Sequence, residues 1–257
     1  MDGRNFQRIC MIAGLFLFLL PLVAVANAPF PPGQHPLDPE IQRGKERLET
    51  IRREIKDYSC TFTKRERVNG KLLDYEQMFM KVRHEPFSVY MYFLSPKEVK
   101  GQQVVYISGR NNGKMLAQPI GVLGVGGPYS LDPNGRFAMK NQRYPITNTG
   151  MLRLTEQLVQ EGTRDRRFPQ VELRYFKGAK VEDRTCTVTQ VTHPQLPQFE
   201  YSMARIFVDD QWNLPIRFEC YLWPAKPGGE PLLLEEYTYT RLKLNNGFTD
   251  ADFQIQK

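Results

Sequence analysis

The stretch from Met78 to Leu94, MFMKVRHEPFSVYMYFL, leaves this chain little choice but an antiparallel sheet. Met78, Met80 and Val82 alternate with Phe79, Lys81 and Arg83. After a turn at His84-Glu85-Pro86, Phe87, Val89, Met91 and Phe93 alternate with Ser88, Tyr90, Tyr92 and Leu94. A period of two puts each set on its own face of a sheet. One face is rich in Met and Phe, polarizable and adaptable, and suits an apolar guest as well as it suits an ordinary core. The other face carries Tyr, Lys and Arg.

Strands of the same kind run through most of the chain. The sequence predicts Ser59 to Val68 paired with Lys71 to Arg83 across Asn69-Gly70, a turn dipeptide that accepts positive φ. Phe87 to Leu94 follows, then Gln102 to Ser108 and Lys114 to Pro119 around Asn112-Gly113. After residue 169 the expected strands are Gln170 to Lys177, Asp183 to Thr192, Met203 to Val208, Pro215 to Trp223 and Leu232 to Leu244.

Two helices interrupt this pattern. Asp38-Pro39-Glu40 reads as an N-cap, a proline at the first helical position and an acidic first turn. Ile41, Leu48, Ile51 and Ile55 then carry an apolar stripe to a helix end near Tyr58. Thr147-Asn148-Thr149 offers caps for a second helix, Gly150 to Glu161, ending at Gly162. Strands without β-α-β alternation, plus two helices, define an α+β chain: a curved antiparallel sheet covering both helices on one face, its other face solvated.

The N-terminus reads as a leader. Arg4 and Arg8 precede an apolar run from Ile9 to Leu20, and Ala24-Val25-Ala26 fits a cleavage site, so residues 1–26 are expected to be removed on export. Cys10 stands at the start of the apolar run, which argues against a lipid-anchored cysteine. A Pro-rich linker, 27–37, then leads into a single domain, 38–257. Loss of Arg4, Arg8 and Asp2 leaves 33 basic and 27 acidic residues, a net charge of +6. The basic residues are scattered, apart from Arg164-Asp165-Arg166-Arg167, which reads as a solvated helix end. Together with export, this argues against nucleic acid as a partner.

Catalytic and metal-binding patterns are absent from the sequence. Cys60, Cys186 and Cys220 form no C-x-x-C pair and read as buried thiols, although export would permit one disulfide. His35, His84 and His193 lack the spacing of metal ligands, and His84 and His193 read as turn residues. No serine sits in a G-x-S-x-G context. Asp209-Asp210 and Glu235-Glu236 are adjacent carboxylates, which a strand points to opposite faces. No cofactor motif occurs, since Gly121-Val122-Leu123-Gly124-Val125-Gly126-Gly127 lacks phosphate-loop spacing and reads as a wide turn or an apolar lid. The expectation is a protein that is not an enzyme.

The strings Tyr58-Ser59-Cys60-Thr61-Phe62, Lys64-Arg65-Glu66-Arg67-Val68, Lys81 to Met91 and Asn148-Thr149-Gly150 resemble a family of exported bacterial proteins known chiefly as a domain of unknown function. More distantly, the order of parts is similar to periplasmic lipoprotein carriers of the LolA/LolB type, with Arg83-His84-Glu85-Pro86-Phe87 at the place of their R-P-x-x-F-like turn. That resemblance implies an incomplete β-barrel wrapped over helices, enclosing a cavity for acyl chains. In the carriers an arginine shortly after this turn locks the lid. Here the corresponding strand, Ser88-Val89-Tyr90-Met91-Tyr92, has none.

The functional expectation is an exported protein of the periplasm or cell envelope that binds a lipid or lipoprotein acyl chain. Its expected cavity lining is Met78, Met80, Val82, Phe87, Val89, Met91, Phe93 and Val105. The competing expectation is an envelope interaction module with a filled core, meeting a protein or polymer through Tyr90, Tyr92 and Lys81 or through the Pro-rich linker. A cluster of buried polar groups inside the barrel would instead favour an enzyme.

Overall fold

A computed structural model describes Val23–Val25 and residues 33–256. The expected cleavage point and most of the expected linker lie outside the described residues. Among the described residues, thirteen strands form one sheet. In chain order they are β1 (Val23–Val25), β2 (Asp57–Val68), β3 (Lys71–Leu72), β4 (Glu76–Arg83), β5 (Ser88–Ser95), β6 (Gln103–Ile107), β7 (Met115–Gln118), β8 (Tyr129–Leu131), β9 (Glu172–Val181), β10 (Arg184–Thr192), β11 (Met203–Asp209), β12 (Pro215–Leu222) and β13 (Leu232–Leu244). The helices are α1 (Asp38–Glu54) and α2 (Met151–Asp165).

Two antiparallel meanders make the sheet, β2-β4-β5-β6-β7-β8 and β9 to β13, joined where β13 pairs with β2. The backbone of β1, which the sequence reading assigned to the leader, pairs with the outer edge of β9. The path runs from β1 to β8 without those ends pairing, so the curved sheet stays open. The α+β architecture is therefore the expected one: a curved antiparallel sheet with two helices against its inner face.

Asn69 and Gly70 both take positive φ, as the predicted hairpin requires. The long second strand breaks into β3 and β4. Among the strands missed in sequence is β8, too short to show a period.

The first helix stops at Glu54 because Asp57 and Tyr58 are drawn into β2. Its N-cap is Leu37, one residue before the expected Asp38, and Leu37 is buried, so the end of the linker is docked. The second helix begins without a side-chain cap. Instead the Tyr58 hydroxyl accepts a hydrogen bond from the Met151 N–H at 3.0 Å. Gly150 turns the chain into α2 at φ +107°, and a Cβ there would lie 2.8 Å from the Tyr58 hydroxyl oxygen, so the position requires glycine.

Gly162 does not end α2. It sits inside the helix because α1 passes close by, with Ile41 3.2 Å from where its Cβ would be.

Asp165 departs furthest from the sequence reading. It is not a solvated helix end but buried, with Oδ2 3.2 Å from Nε2 of His193, which is buried too. The His193 ring stacks on Phe199 at 4.2 Å between centroids, and its Nδ1 faces the Tyr201 carbonyl at 3.2 Å. His193 is thus a core strut tying the end of α2 to the β10–β11 connection. His84 likewise holds the chain before β2, its Nδ1 2.7 Å from the Ile55 carbonyl.

The outer face of the sheet is not bare. The C-terminal segment lies across it, seating Phe253 against Tyr90 and Val105 in a cluster of its own. Arg83 donates to Asp250 at 2.6 Å, Lys81 lies 3.6 Å from an Asp252 carboxylate oxygen, and Gln103 and Gln256 exchange two hydrogen bonds. Asp57 anchors the start of the segment by accepting from the backbone N–H groups of Asn246, Gly247 and Phe248. The expected Tyr90, Tyr92 and Lys81 docking face is therefore largely occupied by the protein's own tail.

Candidate ligand cavity

A cavity of about 450 Å³ lies between the inner face of the sheet, α2 and the strap that joins β8 to α2. This volume falls within the roughly 300–1,000 Å³ typical of small-molecule sites. One end is apolar: Phe62, Met78, Met91, Phe93, Val104 and Met115 from the sheet face Ile146, Leu154 and Leu158 across it.

The other end is ionic, and strand periodicity explains the gradient. The inward residues of β2 are Tyr58, Cys60, Phe62, Lys64 and Glu66, so its apolar face turns charged in its last third. The neighbouring β13 sets Glu235 opposite Glu66, Tyr237 opposite Lys64 and Tyr239 opposite Phe62.

Two carboxylates close together in a buried place require compensation. Glu66 accepts from Lys64 at 3.2 Å, from the Tyr237 hydroxyl at 2.7 Å and from the Arg143 backbone N–H at 3.2 Å. Glu235 accepts from Arg143 Nε at 2.6 Å and from the Tyr144 hydroxyl at 3.2 Å, and it lies 3.3 Å from the Tyr237 hydroxyl, whose single proton it shares with the nearer Glu66. Lys64 also meets Glu76 at 3.2 Å and the Gln142 amide oxygen. Burial pushes the Glu235 carboxyl above its ordinary range, against the opposing pull of Arg143.

Gln142, Arg143 and Tyr144 belong to the strap, whereas Lys64, Glu66 and Glu235 belong to the sheet. The ionic cluster is thus a latch that closes the strap over the cavity. The sequence comparison with the lipoprotein carriers found no arginine after the turn at His84-Glu85-Pro86. Arg143 stands on the covering segment, and the Glu235 carboxylate that accepts from it stands on the sheet.

Of the expected lining residues, Met78, Met91 and Phe93 face the cavity. Met80, Val82 and Val89 share their face but are wholly buried in solid core, with Val82 packed beside Gly150. Phe87 is half-buried outside the cavity, between Tyr106 and Arg153. Val105 is a correction: it pairs with Tyr90 and points outward beneath the C-terminal segment, and its neighbour Val104, opposite Met91, takes the inward place.

The polar pole was missed, although parity with Cys60 and Phe62 marks Lys64 and Glu66 as inward. Glu235 and Glu236 do face opposite ways, and both are buried. Glu236 lies on the outer side with Arg217 at 3.0 Å. Cys60, Cys186 and Cys220 are free and buried, and burial raises each thiol well above its ordinary value. Among the described residues no group of His, Cys, Asp and Glu is arranged to hold a metal, and no helix is long and apolar enough to cross a membrane.

An open antiparallel half-barrel with a strapped, apolar-to-ionic cavity defines the class of molecule. The chain belongs to the family described as Protein of unknown function (DUF1571), whose model matches residues 55–257. A comparison with curated proteins gives no match. Among solved structures, the chain is similar to the lipoprotein LppX of Mycobacterium tuberculosis, with 13% identity, a TM-score of 0.46, and 82% of this chain and 98% of that one covered. A DUF1329 family protein from Desulfovibrio piger matches with 13% identity and a TM-score of 0.41 over 86% and 98% of the two chains. A LolA superfamily protein from Nitrosomonas europaea matches with 13% identity and a TM-score of 0.35 over 83% and 97%. Likenesses at these levels carry no functional argument.

Proposed function

We propose that this is an exported, non-catalytic protein of the cell envelope that holds one hydrophobic ligand, a lipid or lipoprotein acyl chain, in the strapped cavity. The observation that carries the reading is the cavity itself: open space lined by Met78, Met91, Phe93 and Met115, where a tightly packed core would leave none. Polarizable methionines adapt to a flexible chain better than branched side chains do. The latch gives the strap a means of opening, since Gln142, Arg143 and Tyr144 of the strap are held by Lys64, Glu66 and Glu235 of the sheet.

The ionic cluster is the one feature that favours chemistry instead. Every one of its carboxylates is already engaged by Lys64, Arg143 or tyrosine hydroxyls, which leaves no base free to take a proton from a substrate. It serves the strap better than it would serve a reaction.

A fluorescent fatty-acid probe tests the proposal. The wild-type protein should bind it with enhanced emission, and Ala117→Trp, which puts an indole into the cavity from β7, should weaken binding at least tenfold. Unchanged thermal unfolding of the variant shows that the space, not the fold, was lost. A folded wild-type protein that binds no acyl probe, or equal binding by wild type and variant, would sink the proposal.

A further inference from the structure

We infer that the loop between β7 and β8, residues 119–128, is a docking loop that inserts into the surface of an anionic lipid bilayer. Its apex is apolar and outside the core: Val122 is 90% exposed, Val125 87% and Leu123 67%. Clustered apolar side chains left in water on one loop mark an interaction site. Phe137 on the strap is 81% exposed and also lines the cavity, so the apolar surface continues to the cavity mouth.

Four carbonyls of this loop are already bonded within the protein, which lowers the cost of taking them into a less polar medium. Membrane interiors accept irregular chain only where its polar groups are already bonded. The Val122 carbonyl accepts from the Val125 N–H, and the Gly124 carbonyl from the Gly127 N–H at 3.2 Å. The Gln118 side-chain amide donates to the Pro119 and Gly124 carbonyls at 3.1 and 3.0 Å, and the Tyr129 hydroxyl donates to the Leu123 carbonyl at 3.2 Å.

Charge selects the kind of lipid. Residues 95–143, which contain the loop, carry seven basic and two acidic side chains, so most of the chain's net +7 resides there. Lys97 and Lys100 flank the turn where Ile120 packs against Gly101, and Lys140 stands on the strap. All three lysines are exposed, and none has an ion-pair partner among the described residues. Such residues gain from a negative headgroup layer, while the apex supplies the apolar contact. The inference concerns how the molecule meets a membrane and does not depend on what the cavity holds.

Vesicle flotation with the mature protein decides the matter, using phosphatidylcholine vesicles with and without phosphatidylglycerol. Wild type should float with the anionic vesicles and much less with the neutral ones, and added salt should release it. Val122→Ser with Leu123→Ser and Val125→Ser should weaken binding about tenfold or more while leaving thermal unfolding unchanged, because these side chains support no core. Lys97→Gln with Lys100→Gln and Lys140→Gln should abolish the preference for anionic vesicles. No flotation of wild type, or equal flotation of wild type and the triple-serine variant, overturns the inference. So does a concentration-dependent dimer that the triple-serine variant loses, which would assign the loop to a second copy of the chain.

Discussion

Replacing Asp165 with asparagine is expected to destabilise the fold by about 2–3 kcal/mol, the upper range for leaving a buried polar group without its partner. Asp165 and His193 are both buried, and a neutral amide would leave the imidazole without its carboxylate while Phe199 and Phe168 still exclude water. Burial alone would raise the Asp165 carboxyl, but His193, 3.2 Å away, and the neighbouring Arg164 bring it below the ordinary 3.8. A carboxyl lowered by folding adds stability that is present above its unfolded value and disappears as pH falls through the folded one. The deficit of Asp165→Asn should therefore be full at neutral pH and shrink only in strong acid. Urea unfolding at several pH values reads this directly. A deficit under about 1 kcal/mol at neutral pH would mean that His193 finds another partner.

Replacing Arg143 with alanine should cost about 2–3 kcal/mol, somewhat less because Arg143 is partly solvated, and should free the strap. The loss removes the 2.6 Å bond to Glu235 and leaves that carboxylate buried with the Tyr144 hydroxyl and a share of the Tyr237 proton. Burial already raises the Glu235 carboxyl, and without Arg143 nothing comparable opposes it. A carboxyl raised by folding gives stability that is complete below its unfolded value and lost as pH rises through the folded one. Arg143→Ala should therefore be most damaging near neutral pH and partly recover on mild acidification, as Glu235 takes up a proton.

The double variant Arg143→Ala with Glu235→Gln makes the argument specific. Removing the stranded charge should recover a good part of the stability, so the two effects should not add. Limited proteolysis should cut the strap near Gln142 faster in Arg143→Ala than in wild type. Additive losses in the double variant would show that Arg143 and Glu235 do not form the working latch.

Period-two patterning carried much of this architecture in plain view. Alternation from Met78 to Phe93, with Asn69-Gly70 and Asn112-Gly113 as turn signals, located the central strands and the inward Met/Phe face. Met78, Met91 and Phe93 were legible as cavity residues for that reason. Val105 was misplaced because alternation within β6 leaves open which set faces inward, and only pairing with β5 decides it. The latch was hidden for a different reason: Glu66, Arg143 and Glu235 are far apart along the chain, and β13 folding back on β2 brings them together. Asp165 and His193 each look solvent-facing in their own segments, and burial by Phe199 and Tyr201 exists only in the folded protein. Gly150 illustrates the converse, a glycine that reads in sequence as an ordinary helix start and in space as the only residue to fit beneath Tyr58.

The central claim is that the space beneath the strap is a ligand site. Native mass spectrometry of the protein, purified without detergent, tests this most directly. The account predicts a population carrying one non-covalent adduct of lipid mass, absent from Ala117→Trp and depleted in Arg143→Ala. A single bare mass for the wild-type protein, unchanged after incubation with lipid extract, would contradict it.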